Sequence, residues 1–203
     1  MAKLAMFSAL LGAVWLLAMM VIGGATYPGY NHLSQYISEL GATGAPYGRE
    51  ISWYGFLPVG ILIITFAMSA LVAAPRSILS VLGFIGIILF AVGYIGATFF
   101  PCDYGCRPEE PSPSQVMHLI FGLAGYLFAP PTMLFLGLAA RKWPNAGWLS
   151  LFGMIAAVTS LIGFLTLDPG SPFAGLSQRV LEASVIGWVA ACGLYLGLQP
   201  RAR

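Results

Sequence analysis

The 203-residue chain is 59% hydrophobic and only 8% charged, with a mean hydropathy of +0.86 and a formal net charge of +2. Soluble domains carry about 25% charged residues, so the composition excludes an ordinary soluble fold, and it leaves no basic patch for nucleic acid. An integral membrane protein is the class implied.

A helix needs about 20 mostly apolar residues to cross a hydrocarbon core of roughly 30 Å. Six runs qualify: Leu4 to Thr26, Ile51 to Ala74, Ile78 to Phe100, Val116 to Ala140, Trp148 to Leu167 and Val180 to Leu198. The predicted fold class is all-α: a polytopic membrane helix bundle of six transmembrane helices, in one compact domain over residues 1–203. A secretory signal peptide is the competing reading of the first run, from Lys3 and the small residues near Gly23. The run is long for a signal sequence, and its end takes part in a repeat.

The first run closes with Gly24, Ala25, Thr26 and Pro28, the third with Gly96, Ala97, Thr98 and Pro101, and the fifth with Gly163, Thr166 and Pro169. Each proline is followed by a polar joint holding Ser-Gln: Ser34-Gln35, Ser114-Gln115 and Ser177-Gln178. LSQYISE from Leu33 and LSQRVLE from Leu176 share Leu, Ser, Gln and the final Glu. This pattern predicts three repeated hairpins, each helix pair joined on the same side. Proline ends a helix, and serine is a favoured N-cap of the next one, so helix punctuation accounts for the serines and prolines. Leu33, Tyr36, Ile37 and Leu40 recur at helical spacing, which predicts a short amphipathic surface helix. Pro58 and Pro130-Pro131 predict kinks in the second and fourth spans.

With a cytoplasmic N terminus, Lys3, Arg76, Arg141, Lys142, Arg201 and Arg203 fall inside, against Arg49, Arg107 and Arg179 outside. That distribution satisfies the positive-inside rule and places both termini in the cytoplasm. All seven acidic residues and both histidines then fall outside, so the outer face carries the chemistry.

Candidate site residues gather there. His32, Ser34, Glu39 and His118 are the candidate catalytic groups, with a histidine or carboxylate as base for the serine. Asn31, Gln35, Gln115, Asp168, Gln178, Arg179 and Glu182 are the candidate ligand-binding groups, Arg179 being suited to a phosphate. Structural alternatives are hydrogen-bonded interfacial histidines and an Arg179–Glu182 ion pair at i, i+3. His32, Asp103 and His118 could hold zinc and activate water, although no HxxxH or HExxH spacing is present. No Walker loop or dinucleotide fingerprint occurs either. Cys102 and Cys106 flank Asp-Tyr-Gly on the oxidising side, where a disulfide is expected. Free thiols or redox catalysis are the alternatives, and the spacing is not Cys-x-x-Cys.

At YNHLSQYISELGATGAPYG, FPCDYGC and SQVMHLIFGLAGY the chain resembles an uncharacterised prokaryotic six-span membrane family, catalogued as domain-of-unknown-function nine-nine-eight. The resemblance runs across nearly the whole chain and implies a prokaryotic plasma (inner) membrane location. ISELGATGAP, from Ile37, is similar to the ISDTG-type segment of the Frag/DRAM/Sfk membrane proteins, with Glu39 where that group has Asp. Some of those proteins are associated with lipid-anchor remodelling or membrane lipid organisation. The alkaline ceramidase and progestin-receptor hydrolases use three histidines, a serine and an aspartate; two histidines here cannot supply that zinc site. The expected function is binding or remodelling of a membrane lipid at the outer polar site, with membrane lipids as partners. Transport of a small molecule or lipid, and a non-catalytic scaffold or sensor, are the alternatives. Uncharged span cores weigh against ion-coupled transport.

Overall fold

The computed structural model describes residues 1–199; Arg201 and Arg203, used above for orientation, lie outside them. Six helices are long and apolar enough to cross a membrane: α1 Ala2–Thr26, α2 Gly48–Ala73, α3 Ile78–Phe99, α4 Pro113–Ala140, α5 Gly147–Leu165 and α6 Ala174–Leu198. No strand occurs among the described residues. This is a multi-pass membrane protein.

Each helix packs on the next in sequence, and α6 returns to α1, which closes a ring; α6 also touches α2 and α4. Buried residues make up 67% of the apolar window of α6, against 33–44% in the other helices. The last helix is therefore the most interior one. Its Trp188 is fully buried and donates from Nε1 to the Leu149 carbonyl at 3.2 Å. Outward faces carry Phe7, Val14, Val72 and Leu151, all exposed, as a surface solvated by lipid requires. Between helices the contacts rest on small residues, because lipid removes the hydrophobic drive and leaves close packing to hold helices together. A Cβ added to Gly153 of α5 would lie 2.6 Å from the Gly137 Cα of α4.

Proline shapes α2 through the bond it cannot make. Pro58 has no N–H, so the Tyr54 carbonyl one turn earlier loses its donor. Residues Ile51–Phe56 are wound as a π-helix, a local widening that tolerates such a gap. The Trp15 indole of α1 donates to the Tyr54 carbonyl at 2.8 Å and replaces the missing bond. Pro130 and Pro131 lie within α4, which continues to Ala140.

Several expectations need correction at the helix ends. The last span begins at Ala174, not Val180, and the fourth at Pro113, not Val116. Ser112, not Ser114, caps α4, accepting from Gln115 N at 3.1 Å; Ser177 lies inside α6 with its hydroxyl 2.9 Å from that of Thr166. Polar residues extend both helices because their side chains find partners in the loops. The expected surface helix is instead a set of turns ending in a 3₁₀ turn, Ile37–Gly41. Ile37, Glu39 and Leu40 of that turn are buried, so the segment folds into the bundle's end. The three threonines at the helix ends do one job: Thr26, Thr98 and Thr166 each donate to the carbonyl four residues back.

Candidate functional site

The connections 27–47, 100–112 and 166–173 share one end of the bundle and are sewn together by hydrogen bonds. Leu176 N donates to Leu33 O and Thr43 N to Cys102 O, both at 2.8 Å. The short turn after α3 carries a Cys102–Cys106 disulfide, and the Ser38 hydroxyl lies 3.5 Å from Cys106 Sγ.

Glutamines do the long-range joining. Gln115 accepts from Asp103 N at 2.9 Å and donates to Cys106 O at 3.3 Å. Gln178 accepts from Ile37 N and donates to the Tyr126 hydroxyl. Gln35 accepts from Asn31 N and donates to Glu39, both at 2.8 Å.

Arg179 is a second staple. Its Nη1 donates to the Gln35 and Gly175 carbonyls at 2.9 Å; its Nη2 donates to the Tyr30 hydroxyl at 2.7 Å and to His32 Nδ1 at 3.0 Å. The guanidinium is thus bound to the loop that it was expected to leave open for a phosphate. Partial burial, then the Arg179 charge, holds His32 below the ordinary histidine pKa. The expected Arg179–Glu182 pair does not form; among the described residues the ion pair within 4.0 Å joins Arg107 and Glu39. Arg107 also donates to the Ser34 carbonyl at 2.9 Å and lies 4.7 Å from the Tyr36 ring centre.

Below this layer is a cavity of about 250 Å³, with walls from α3, α4, α6, Phe56 of α2 and all three connections. Among the described residues Glu182 is the one carboxylate in its wall. Tyr126 donates to Glu182 Oε1 at 2.7 Å and Tyr94 donates to Oε2; the residue is 4% exposed. Gln178 donates to the same Tyr126 oxygen at 2.7 Å, which fixes the phenol hydrogen on the carboxylate. His118 Nδ1 donates to the Phe100 carbonyl at 2.9 Å. A carbonyl only accepts, so Nδ1 carries a proton, and in the neutral ring Nε2 keeps a lone pair. Leu119 and Leu123 of α4 line the cavity while being 53% and 57% exposed. They form a rim on the lipid side of a spanning helix.

The family model described as protein of unknown function (DUF998) matches residues 10–195. The chain belongs to the DUF998 family. Comparison with curated proteins and with solved structures finds no significant match.

Of the predicted site residues in this DUF998 chain, the cavity brings together Gln115, His118, Gln178 and Glu182. Asn31, His32, Ser34, Gln35, Glu39, Asp103, Asp168 and Arg179 lie outside its wall. Asp168 accepts from Gly170 N at 2.9 Å in an exposed turn. Asp103 accepts from the Ser112 N–H at 2.9 Å and hydroxyl at 2.7 Å, which hold its carboxyl below the usual range. Among the described residues no three His, Cys, Asp or Glu side chains are grouped to hold a metal ion. The zinc set His32, Asp103 and His118 is therefore not assembled, because these residues turn to Arg179, Ser112 and Phe100 respectively. Sequence reasoning missed Tyr94 and Tyr126. A buried tyrosine needs a partner for its hydroxyl, so two tyrosines in the middle of apolar spans were the available signal.

Proposed function

We propose that this DUF998 chain binds a membrane amphiphile in the cavity between α3, α4 and α6, polar group toward Glu182 and apolar chain toward the bilayer. The rim supports this reading: Leu119 and Leu123 are at once cavity wall and lipid-facing surface, so a tail leaves the cavity without crossing water. The volume, below the roughly 300–1,000 Å³ of drug-sized pockets, suits a headgroup and the start of a chain. Binding is favoured over covalent remodelling, since among the described residues no serine hydroxyl is bonded to His32 or His118. The polar end faces outward from a prokaryotic plasma membrane, following the Lys3, Arg76, Arg141 and Lys142 charge at the other end.

A second reading, transport of the amphiphile, draws on the depth of Glu182. Because α6 starts at Ala174, this carboxylate lies about 12 Å along the helix at about 1.5 Å per residue.

Gly122 supplies the test. It lines the cavity, and a Cβ placed there meets nothing within 4 Å, so the side chain of Gly122→Phe starts in open space and its ring competes for the cavity. Mass spectrometry of the protein purified in one detergent should find a bound amphiphile in wild type and lose it in G122F, at unchanged thermal stability. Equal occupancy in the two proteins would overturn the reading.

A further inference from the structure

We infer that the polar group of the bound amphiphile is a cationic amine, received by Glu182 and by the aromatic wall beside it. This rests on the proposed amphiphile cavity and names the chemistry of its ligand.

Glu182 lines the cavity and is nearly buried, yet no Lys, Arg or His lies within 4.0 Å of its carboxylate among the described residues. Buried acids in membrane segments are costly and are ordinarily paired. Two phenols and no cation surround this one. The cavity wall contains no lysine or arginine: Arg107 and Arg179 are held in the layer above by Ser34, Gln35 and Tyr30. A phosphate or carboxylate headgroup would meet a carboxylate here with no counter-charge.

The wall favours a cation in a second, independent way. Phe56, Tyr94, Phe90 and Tyr126 all line the cavity as one connected aromatic cluster, tilted or edge-on to one another, with ring centres 6.3, 5.9 and 6.2 Å apart along the series. Ring faces attract ammonium groups, most strongly where water is excluded. His118 adds a lone pair at Nε2, an acceptor for an amine hydrogen. Both tyrosine hydrogens already point at Glu182, so neither phenol offers a donor to the ligand.

The test compares amphiphiles of one chain length: dodecylamine, dodecanol and dodecyl phosphate, titrated into the full chain in neutral detergent micelles. Wild type, Gly122→Phe and Glu182→Gln are measured, with G122F correcting for partition into the micelle. The expected result is G122F-sensitive binding of dodecylamine at least tenfold tighter than of either other probe, and at least tenfold weaker in E182Q. The comparison of probes in wild type stands even if E182Q does not fold. G122F-sensitive binding of all three probes with equal affinity, or tightest binding of the phosphate, would overturn the amine and leave the amphiphile cavity standing. Binding of every probe untouched by G122F would overturn both.

Discussion

His32 accepts a hydrogen from Arg179 at 3.0 Å through Nδ1, and that bond exists only while the ring is neutral. Burial and the neighbouring guanidinium both lower its folded pKa below 6.5. Between that lowered value and 6.5 the unfolded chain binds more protons than the folded one, so stability must fall as pH drops through this window. Above 6.5 the contribution is whole. His32→Gln, which keeps an acceptor but cannot titrate, should flatten the dependence of Tm on pH on the acid side of 6.5; an unchanged slope would show that His32 is not the titrating group. At this scale residue types were legible but partners were not. Gln178 stood out as polar at the start of a span, yet its partner is the Ile37 amide, 141 residues away. Arg179 looked free for a ligand because two of its partners are backbone carbonyls, which leave no trace in a sequence.

Among the elements, α4 and α5 approach at Gly137 and Gly153, where backbone meets backbone. Neither side can yield by turning a side chain. Gly153→Leu should therefore cost about 3 kcal/mol or more, at the upper end of overpacking penalties. Thermal unfolding in detergent measures it, and an unaltered midpoint would mean that the helices slide apart freely. All six helices were legible, since length and hydropathy decide whether a segment can span. Their polar ends were not. Ser177, Gln178 and Arg179 lower the hydropathy at the start of α6, but each is satisfied inside the protein by Thr166, Ile37 and Tyr126, or Gln35 and Tyr30. Hydropathy counts them as loop; their hydrogen bonds make them helix. The same reading put Glu182 two residues into its run, whereas it lies eight residues into α6.

For the whole molecule, charge divides the two ends. Arg76 and Glu109, both exposed, lie in connections at opposite ends of the bundle. A cysteine at position 109 should react with a membrane-impermeant maleimide in intact cells, and one at position 76 only after permeabilisation. The reverse pattern would invert the proposed orientation. The side of each charge was readable from the zigzag of spans alone; the cavity was not, because its walls come from α3, α4 and α6 and exist only once the ring is closed.

Closure itself sets an order of assembly. α1 lies against α6, where an added Cβ at Gly193 would meet Ala9 and one at Gly197 would meet Met6. During synthesis α1 must wait for five further helices before that face is covered, and the nascent bundle is an open crescent until then. The acidic wall of the cavity comes from the closing helix, so the cavity is completed by the same event that closes the ring. A chain stalled before α6 has five membrane spans and lacks Gln178 and Glu182, so its cavity stays open on that side.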